Sequence, residues 1–237
     1  MISKEELCKV YRNEYFDEGE NNIVITENNL TNPDSDLKEV SVSGINGKFL
    51  KISSDWLKET CKPYQAKCNG LSILRKDCDS VILFTHNEEE YIVWMELKSG
   101  YDSATSKAMF QLVGSSIRSK LYLNAFPSFS THERHEFCVV VSHPDDSDAE
   151  KTEMVKSNKR QFLPKDVPLS DRLSSEYRRK LRAGKGRATL KAEDFLLDKM
   201  PIADDCKFKS MPLLHLMVEG QKAAIDVSDL LKRIEKD

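Results

Sequence analysis

Three side chains between Cys78 and Lys98 carry the most concentrated chemistry in this sequence: Asp79, Glu96 and Lys98. Residues 80–84 (SVILF) and 91–97 (YIVWMEL) are apolar, β-branched and aromatic runs separated by the polar THNEEE. This is the pattern of two antiparallel strands joined as a hairpin. Alternate side chains of a strand leave from one face, so Glu96 and Lys98 point together. Asp79 stands at the head of the preceding strand, and a hairpin sets the head of one strand beside the end of the other. Two carboxylates so placed repel unless a cation sits between them. Oxygen ligation with open water positions suits Mg2+ or Mn2+. A lysine beside the cation can orient the attacking water, favour its deprotonated form and offset charge on a phosphorane-like transition state. The constellation predicts metal-assisted phosphodiester hydrolysis.

With 32% of residues charged, an acid two positions before a lysine is a common spacing. It recurs in Asp36-Leu37-Lys38 and Asp205-Cys206-Lys207, both in polar, loop-like surroundings. Only Glu96-Leu97-Lys98 closes a long apolar strand with an acid at the head of the strand before it. The competing expectation is a solvated strand end with a surface ion pair.

The elements around the hairpin follow from periodicity. Leu7, Val10, Tyr11 and Tyr15 give a helix-like spacing over 3–15. Residues 21–54 are β-like, with a polar loop at 28–39 and Gly44 to Gly47 as a tight connection. Ser54 reads as the N-cap of a short helix ended by Pro63. Phe110, Val113, Gly114, Ile117 and Leu121 define one face of a helix over about 105–122. Residues 137–143 (FCVVVSH) are a nearly continuous apolar run, expected as an interior strand buried on both faces. An exposed polar insertion or linker is expected at 144–165, a helix at 171–182, a basic loop at RAGKGRATLK and a short helix at 193–199. A strand at 211–220 and a capped helix from Val227–Ser228 complete the chain. The expected fold class is mixed α/β (α+β), a central mixed β-sheet flanked by helices in a single domain over 1–237. Within it, 1–54 is an N-terminal helix and β extension, 55–143 the motif-bearing core and 144–237 the linker, basic helix and loop, and C-terminal strand and helix.

CDSVILF followed by YIVWMELKSG resembles the core of the PD-(D/E)XK, or restriction-endonuclease-like, nuclease superfamily over roughly residues 55–143. Asp79 matches the first acid of the motif, Glu96 the second and Lys98 the lysine. Cys78 stands where the family often has proline. The resemblance implies a restriction-endonuclease-like core and a Mg2+-dependent endonuclease, with DNA a commoner substrate than RNA. Asp79, Glu96 and the Leu97 carbonyl would bind metal, and Lys98 would activate water. It also implies a helix before the motif that often carries a further acid, for which Glu59 or Asp55 qualifies, and a polar residue on the following helix. Gln111 fills that last position, and Lys107 lies one turn before it. Small nucleases of this kind often serve defence or mobile-element systems and dimerise or pair with a partner subunit. The alternative is a non-catalytic subunit that keeps the fold and binds nucleic acid or a partner protein.

The net charge of −3 requires any nucleic-acid contact to come from a local basic patch. Residues 172–191 supply one: Arg172, Arg178, Arg179, Lys180, Arg182, Lys185, Arg187 and Lys191 against Asp171 and Glu176. Arg178, Arg179, Arg182, Lys185 and Arg187 are the candidate phosphate contacts, with Gly184 and Gly186 allowing close backbone approach. A solvated helix face is the alternative. His132, His135 and His143 flank the 137–143 strand but form no HExxH-type spacing, and Ser99 and Ser103 lack a His/Asp partner pattern. The six cysteines contain no CxxC pair, and Cys61, Cys68 and Cys78 fit no common zinc spacing. Free thiols in a reducing compartment are expected. There is no apolar signal core and no run long enough for a membrane span, so the expected location is the cytoplasm, with no membrane partner.

Overall fold

The computed structural model describes residues 1–27, 37–62, 72–98, 101–144 and 169–235. Strands β3 (Ser80–His86) and β4 (Glu89–Lys98) form the expected hairpin, in register from Ser80↔Met95 to His86↔Glu89. Its two-residue turn, Asn87-Glu88, holds both residues at positive φ (50° and 68°). Those angles match the right-handed twist of the flanking strands.

β4 then pairs in parallel with β5 (His135–Ser142), and β5 in parallel with β7 (Ser210–Met217). The connection from β4 to β5 runs through helix α3 (Tyr101–Leu123) and the short α4 (Pro127–Ser130). The mixed sheet continues outward through β2 (Glu39–Ser53) and β1 (Phe16–Thr26) on one side and β6 (Arg187–Lys191) on the other. β8 (Lys222–Asp226) pairs with β2. Helices α1 (Lys4–Cys8), α2 (Ser54–Cys61), α5 (Leu169–Ala183) and α6 (Val227–Ile234) complete the described strands and α-helices. Among the described residues no helix is long and apolar enough to cross a membrane.

β4 and β5 alternate their side chains between two apolar layers, which is why both read as continuous hydrophobic runs. Ile92, Trp94, Cys138 and Val140 pack with Met109, Leu112 and Tyr177 of α3 and α5. Val93, Met95, Leu97, Val139 and Val141 pack against Ile23, Ile25, Leu37, Val40 and Val42 of the β1–β2 ribbon and Leu230 of α6. The ribbon reaches that second layer by bending. Gly44 and Gly47 lie inside one continuous 15-residue strand and do not make the tight connection expected between two. On one side of the bend β2 pairs with β8 (Glu39–Ser43), and on the other with β3 (Phe49–Ser53). Gly47 has φ 146°, and a Cβ there would lie 2.8 Å from the Thr85 carbonyl oxygen.

Other departures are local. The N-terminal helix ends at Cys8 because Val10 is exposed and Tyr11 turns onto Trp56 and Phe126. Ser53, not Ser54, caps α2, its hydroxyl accepting from Trp56 N. RAGKGRATLK is the end of α5 followed by β6, not a loop, and residues 192–199 form two short 3-10 turns. The expected polar insertion lies almost wholly outside the described residues.

Candidate active site

The β3–β4 ladder extends one step beyond β3: Asp79 N–H donates to the Met95 carbonyl (3.1 Å), and Leu97 N–H donates to Asp79 Oδ2 (2.7 Å). Asp79 is thereby fixed beside Glu96. The Glu96 side chain is fully buried, Lys98 is paired to its Oε1, and its Oε2 has no partner. Asp79, Glu96, Lys98 and the Leu97 backbone are therefore brought together at one strand end. Asp205 of a rival triplet is exposed, and Lys207 pairs with Asp204; Asp36 lies outside the described residues.

Burial raises the Asp79 carboxyl to about 7, with Glu27 adding to the rise and the Leu97 N–H, Lys98 and Lys58 opposing it. Burial also pushes Glu96 well above the ordinary carboxylate range, followed by repulsion from Asp79. For Lys98 burial disfavours the ammonium, but Glu96, Asp79 and Glu27 outweigh it and hold the net shift upward. Lys98 is thus a stable cation, suited to orienting water and offsetting negative charge and unsuited to taking a proton itself.

Helix α3 holds the segment leading into Asp79 through a stripe of polar residues. Gln111 Nε2 donates to the Asp77 carbonyl (2.7 Å), while its Oε1 is buried without a partner. Ser115 Oγ accepts from Cys78 N–H (2.9 Å). Arg118, fully buried, donates to the carbonyls of Leu57 (3.2 Å) and Lys76 (2.9 Å) and pairs with Asp77. Gly114 lets the helix approach so closely that any Cβ there would collide with the Ile73 carbonyl oxygen. Lys107 is exposed on the same helix.

Neither acid of α2 is aimed at the centre. Asp55 and Glu59 are exposed and pair with Lys58 (3.2 Å) on the same helix and with Lys62 (2.6 Å) at its C-cap, respectively. What α2 presents to Asp79 electrostatically is the cation Lys58. The acid that does act on Asp79, Glu96 and Lys98 is Glu27, at the end of the ribbon. Nothing in its local sequence singles it out, since its position depends on the bend in β2.

The basic segment stands at the same end of the sheet. Glu96 is level with Val140, and Val140 with His215; His215 N–H donates to the Gly186 carbonyl (2.7 Å). Three strand spacings separate Glu96 from this turn, about 14 Å. Arg179 and Lys185 are exposed there, and Arg178, Arg182 and Arg187 are half-buried. The glycines serve the protein's own packing. Gly184 N–H donates to the Lys180 carbonyl and Gly186 N–H to that of Leu181 (both 2.8 Å), ending α5, and a Cβ on Gly186 would lie 2.6 Å from the His215 carbonyl oxygen. Among the histidines, His135 begins β5 at the opposite end, paired with Glu89, and His132 is exposed. His143 Nε2 meets the Gly220 carbonyl at 2.7 Å. Cys78, Cys138 and Cys206 are buried free thiols.

A divalent cation fits this donor set on one observation above all. Glu96 offers a fully buried carboxylate oxygen with no hydrogen-bond donor, a costly arrangement that a cation would relieve. No family model matches the chain, and neither the curated proteins nor the solved structures contain a match.

Proposed function

We propose that the protein is a divalent-metal-dependent endonuclease of the PD-(D/E)XK type, acting on DNA in preference to RNA. The observation that carries this reading is the unpartnered Oε2 of buried Glu96, held beside Asp79 and Lys98. Asp79, Glu96 and the Leu97 carbonyl would hold Mg2+ or Mn2+. The bound cation would supply Lewis-acid polarisation of the phosphodiester and a more acidic water. Lys98 carries a fixed positive charge to the place where the transition state gains negative charge, and its hydrogen bonds orient the attacking water. Arg179 and Lys185, with Arg178, Arg182 and Arg187 behind them, would hold phosphates about four base-pair steps from the cleaved bond, given ~14 Å and a rise of about 3.4 Å per step. Gln111 would act as a positioning residue through Asp77.

The test is cleavage of plasmid, single-stranded DNA and RNA in Mg2+, Mn2+ or EDTA. Glu96→Ala and Lys98→Ala should each lower the rate at least ~10²-fold. Cleavage that survives both substitutions, or that ignores EDTA, refutes the assignment. Salt-sensitive binding without cleavage under every condition supports a non-catalytic nucleic-acid-binding subunit instead.

A further inference from the structure

We infer that Met217 is a base-contacting residue of the proposed nuclease. It stands between the strand-end centre and the basic turn, where the bases of a DNA substrate would meet an apolar side chain while its phosphates meet the flanking cations. The inference rests on the nuclease reading above and adds a residue that neither the motif nor its resemblance supplies.

Strand register places it. Lys98 is level with Ser142 across the β4–β5 ladder, and Ser142 is level with Met217 across β5–β7. Level side chains of parallel neighbours leave the same face of the sheet. Here it is the face covered by α3 and α5, because Trp94, Val140 and Leu213 of the same alternation pack there. The Ser142 Oγ and His215 Nε2, 2.7 Å apart, show that β5 and β7 share that face up to this level. Lys98, Ser142 and Met217 thus form one row spanning two strand spacings, about 10 Å. On the far side of β7, His215 N–H donates to the Gly186 carbonyl (2.7 Å), which seats the turn carrying Lys185 against the strand two residues before Met217.

Single exposed apolar residues are common on protein surfaces, so position decides. Among the described residues the large apolar side chains most open to water are Val10 (66% exposed), Met217 (63%) and Val24. Val10 follows α1 and Val24 lies on the outer strand β1; Met217 alone stands in register with Lys98. Its surroundings are fixed: Ser142 and His215 are buried, and Val218 N–H donates to the Ser142 carbonyl (2.9 Å). Burial pushes His215 down to about 4, so this floor is uncharged at neutral pH and the cations stay at its ends. Methionine is one of the side chains that wedge against base steps, and its flexible thioether adapts to bases of different shape. At ~10 Å, with a rise of about 3.4 Å per step, the contact falls about three steps from the cleaved bond.

The experiment measures duplex-DNA binding by fluorescence anisotropy in EDTA over a range of salt, and cleavage in Mg2+, for wild type, Met217→Ala, Met217→Leu, Val10→Ala and Glu96→Ala. Met217→Ala should weaken binding about 10-fold, the change expected when most of an exposed methionine side chain leaves water. Its log–log salt slope should match wild type, because no phosphate contact is lost, and its melting temperature should be unchanged. Met217→Leu should bind like wild type, and so should Val10→Ala. Wild-type binding and cleavage in Met217→Ala, with cleavage lost in Glu96→Ala, overturns the role of Met217 and leaves the nuclease reading standing. An equal loss in Val10→Ala, or a flattened salt slope in Met217→Ala, also overturns it. So does a wild-type dimer that Met217→Ala dissociates with DNA binding intact, which would assign the side chain to a second copy. If wild type neither binds nor cleaves nucleic acid under any condition, the parent reading fails and this inference with it.

Discussion

Asp79→Asn should stabilise the metal-free protein near pH 8 while removing its metal response. The folded protein holds the Asp79 carboxyl at about 7 against an ordinary value of 3.8. A carboxyl raised on folding contributes its stability in the protonated form. That contribution is full below pH 3.8 and is lost as the pH rises through about 7. The span between the two values corresponds to at most about 4 kcal/mol. Asp79 is only half-buried by surface, so water should screen part of this cost, leaving about 2 kcal/mol. Asparagine keeps an oxygen to accept from Leu97 N–H and carries no charge. The two proteins should therefore be nearly equal at pH 4, and the asparagine variant should gain until about pH 7 and then hold its lead. For a chain of this size ~2 kcal/mol is about 4–8 °C in melting temperature. Melting curves from pH 4 to 8.5 in EDTA measure the effect, and the same curves with Mn2+ should raise only the wild type. An asparagine variant that is less stable at pH 8, or a difference that does not depend on pH, refutes the claim that Asp79 is held in a costly charged site.

Arg118→Met should cost about 3–5 kcal/mol, because it strands the Asp77 carboxylate and removes donors from two buried carbonyls; urea unfolding measures it. Gly114→Ala should destabilise by several kcal/mol in the same assay and slow cleavage, since the helix must move off Ile73 and carry Gln111 and Ser115 with it. Wild-type stability in that variant would show that the close approach is unimportant. Arg179→Gln with Lys185→Gln should weaken binding on every sequence and flatten the log–log salt slope by about 2, read by fluorescence anisotropy.

The hairpin was legible because its signals are local. Apolar runs, a polar turn and charges at opposite ends are all written within residues 79–98. The interior strand at 135–142 was legible for the same reason, as was the α3 apolar face. The ribbon was not, because its path depends on pairing between residues 39–43 and 222–226, nearly the length of the chain apart. Gly44 and Gly47 resemble a turn in isolation, and only that distant partner makes them a bend. Glu27 was hidden by the same long-range event. Gly184 and Gly186 misled in another way: in a basic segment they resemble a phosphate-binding loop, yet their freedom is used to end α5 and to seat the chain against β7.

The polar stripe on α3 follows from the electrostatics of the centre. Asp79 raises the proton affinity of Glu96, so two charged carboxylates at this strand end would repel. Glu96 is held by the interior of β4 and by Lys98, whereas Asp79 stands just outside β3 and could swing outward with residues 76–78. Gln111, Ser115 and Arg118 anchor that segment by four of its groups: the carbonyls of Lys76 and Asp77, the Asp77 carboxylate and the Cys78 N–H. Arg118 also ties it to Leu57 of α2. A hydrophobic helix face would pack as well but would leave these groups without partners. Gln111, Ser115 and Arg118 therefore hold the segment that carries Asp79 against Glu96, which on the proposed reading keeps the two carboxylates in place for a cation.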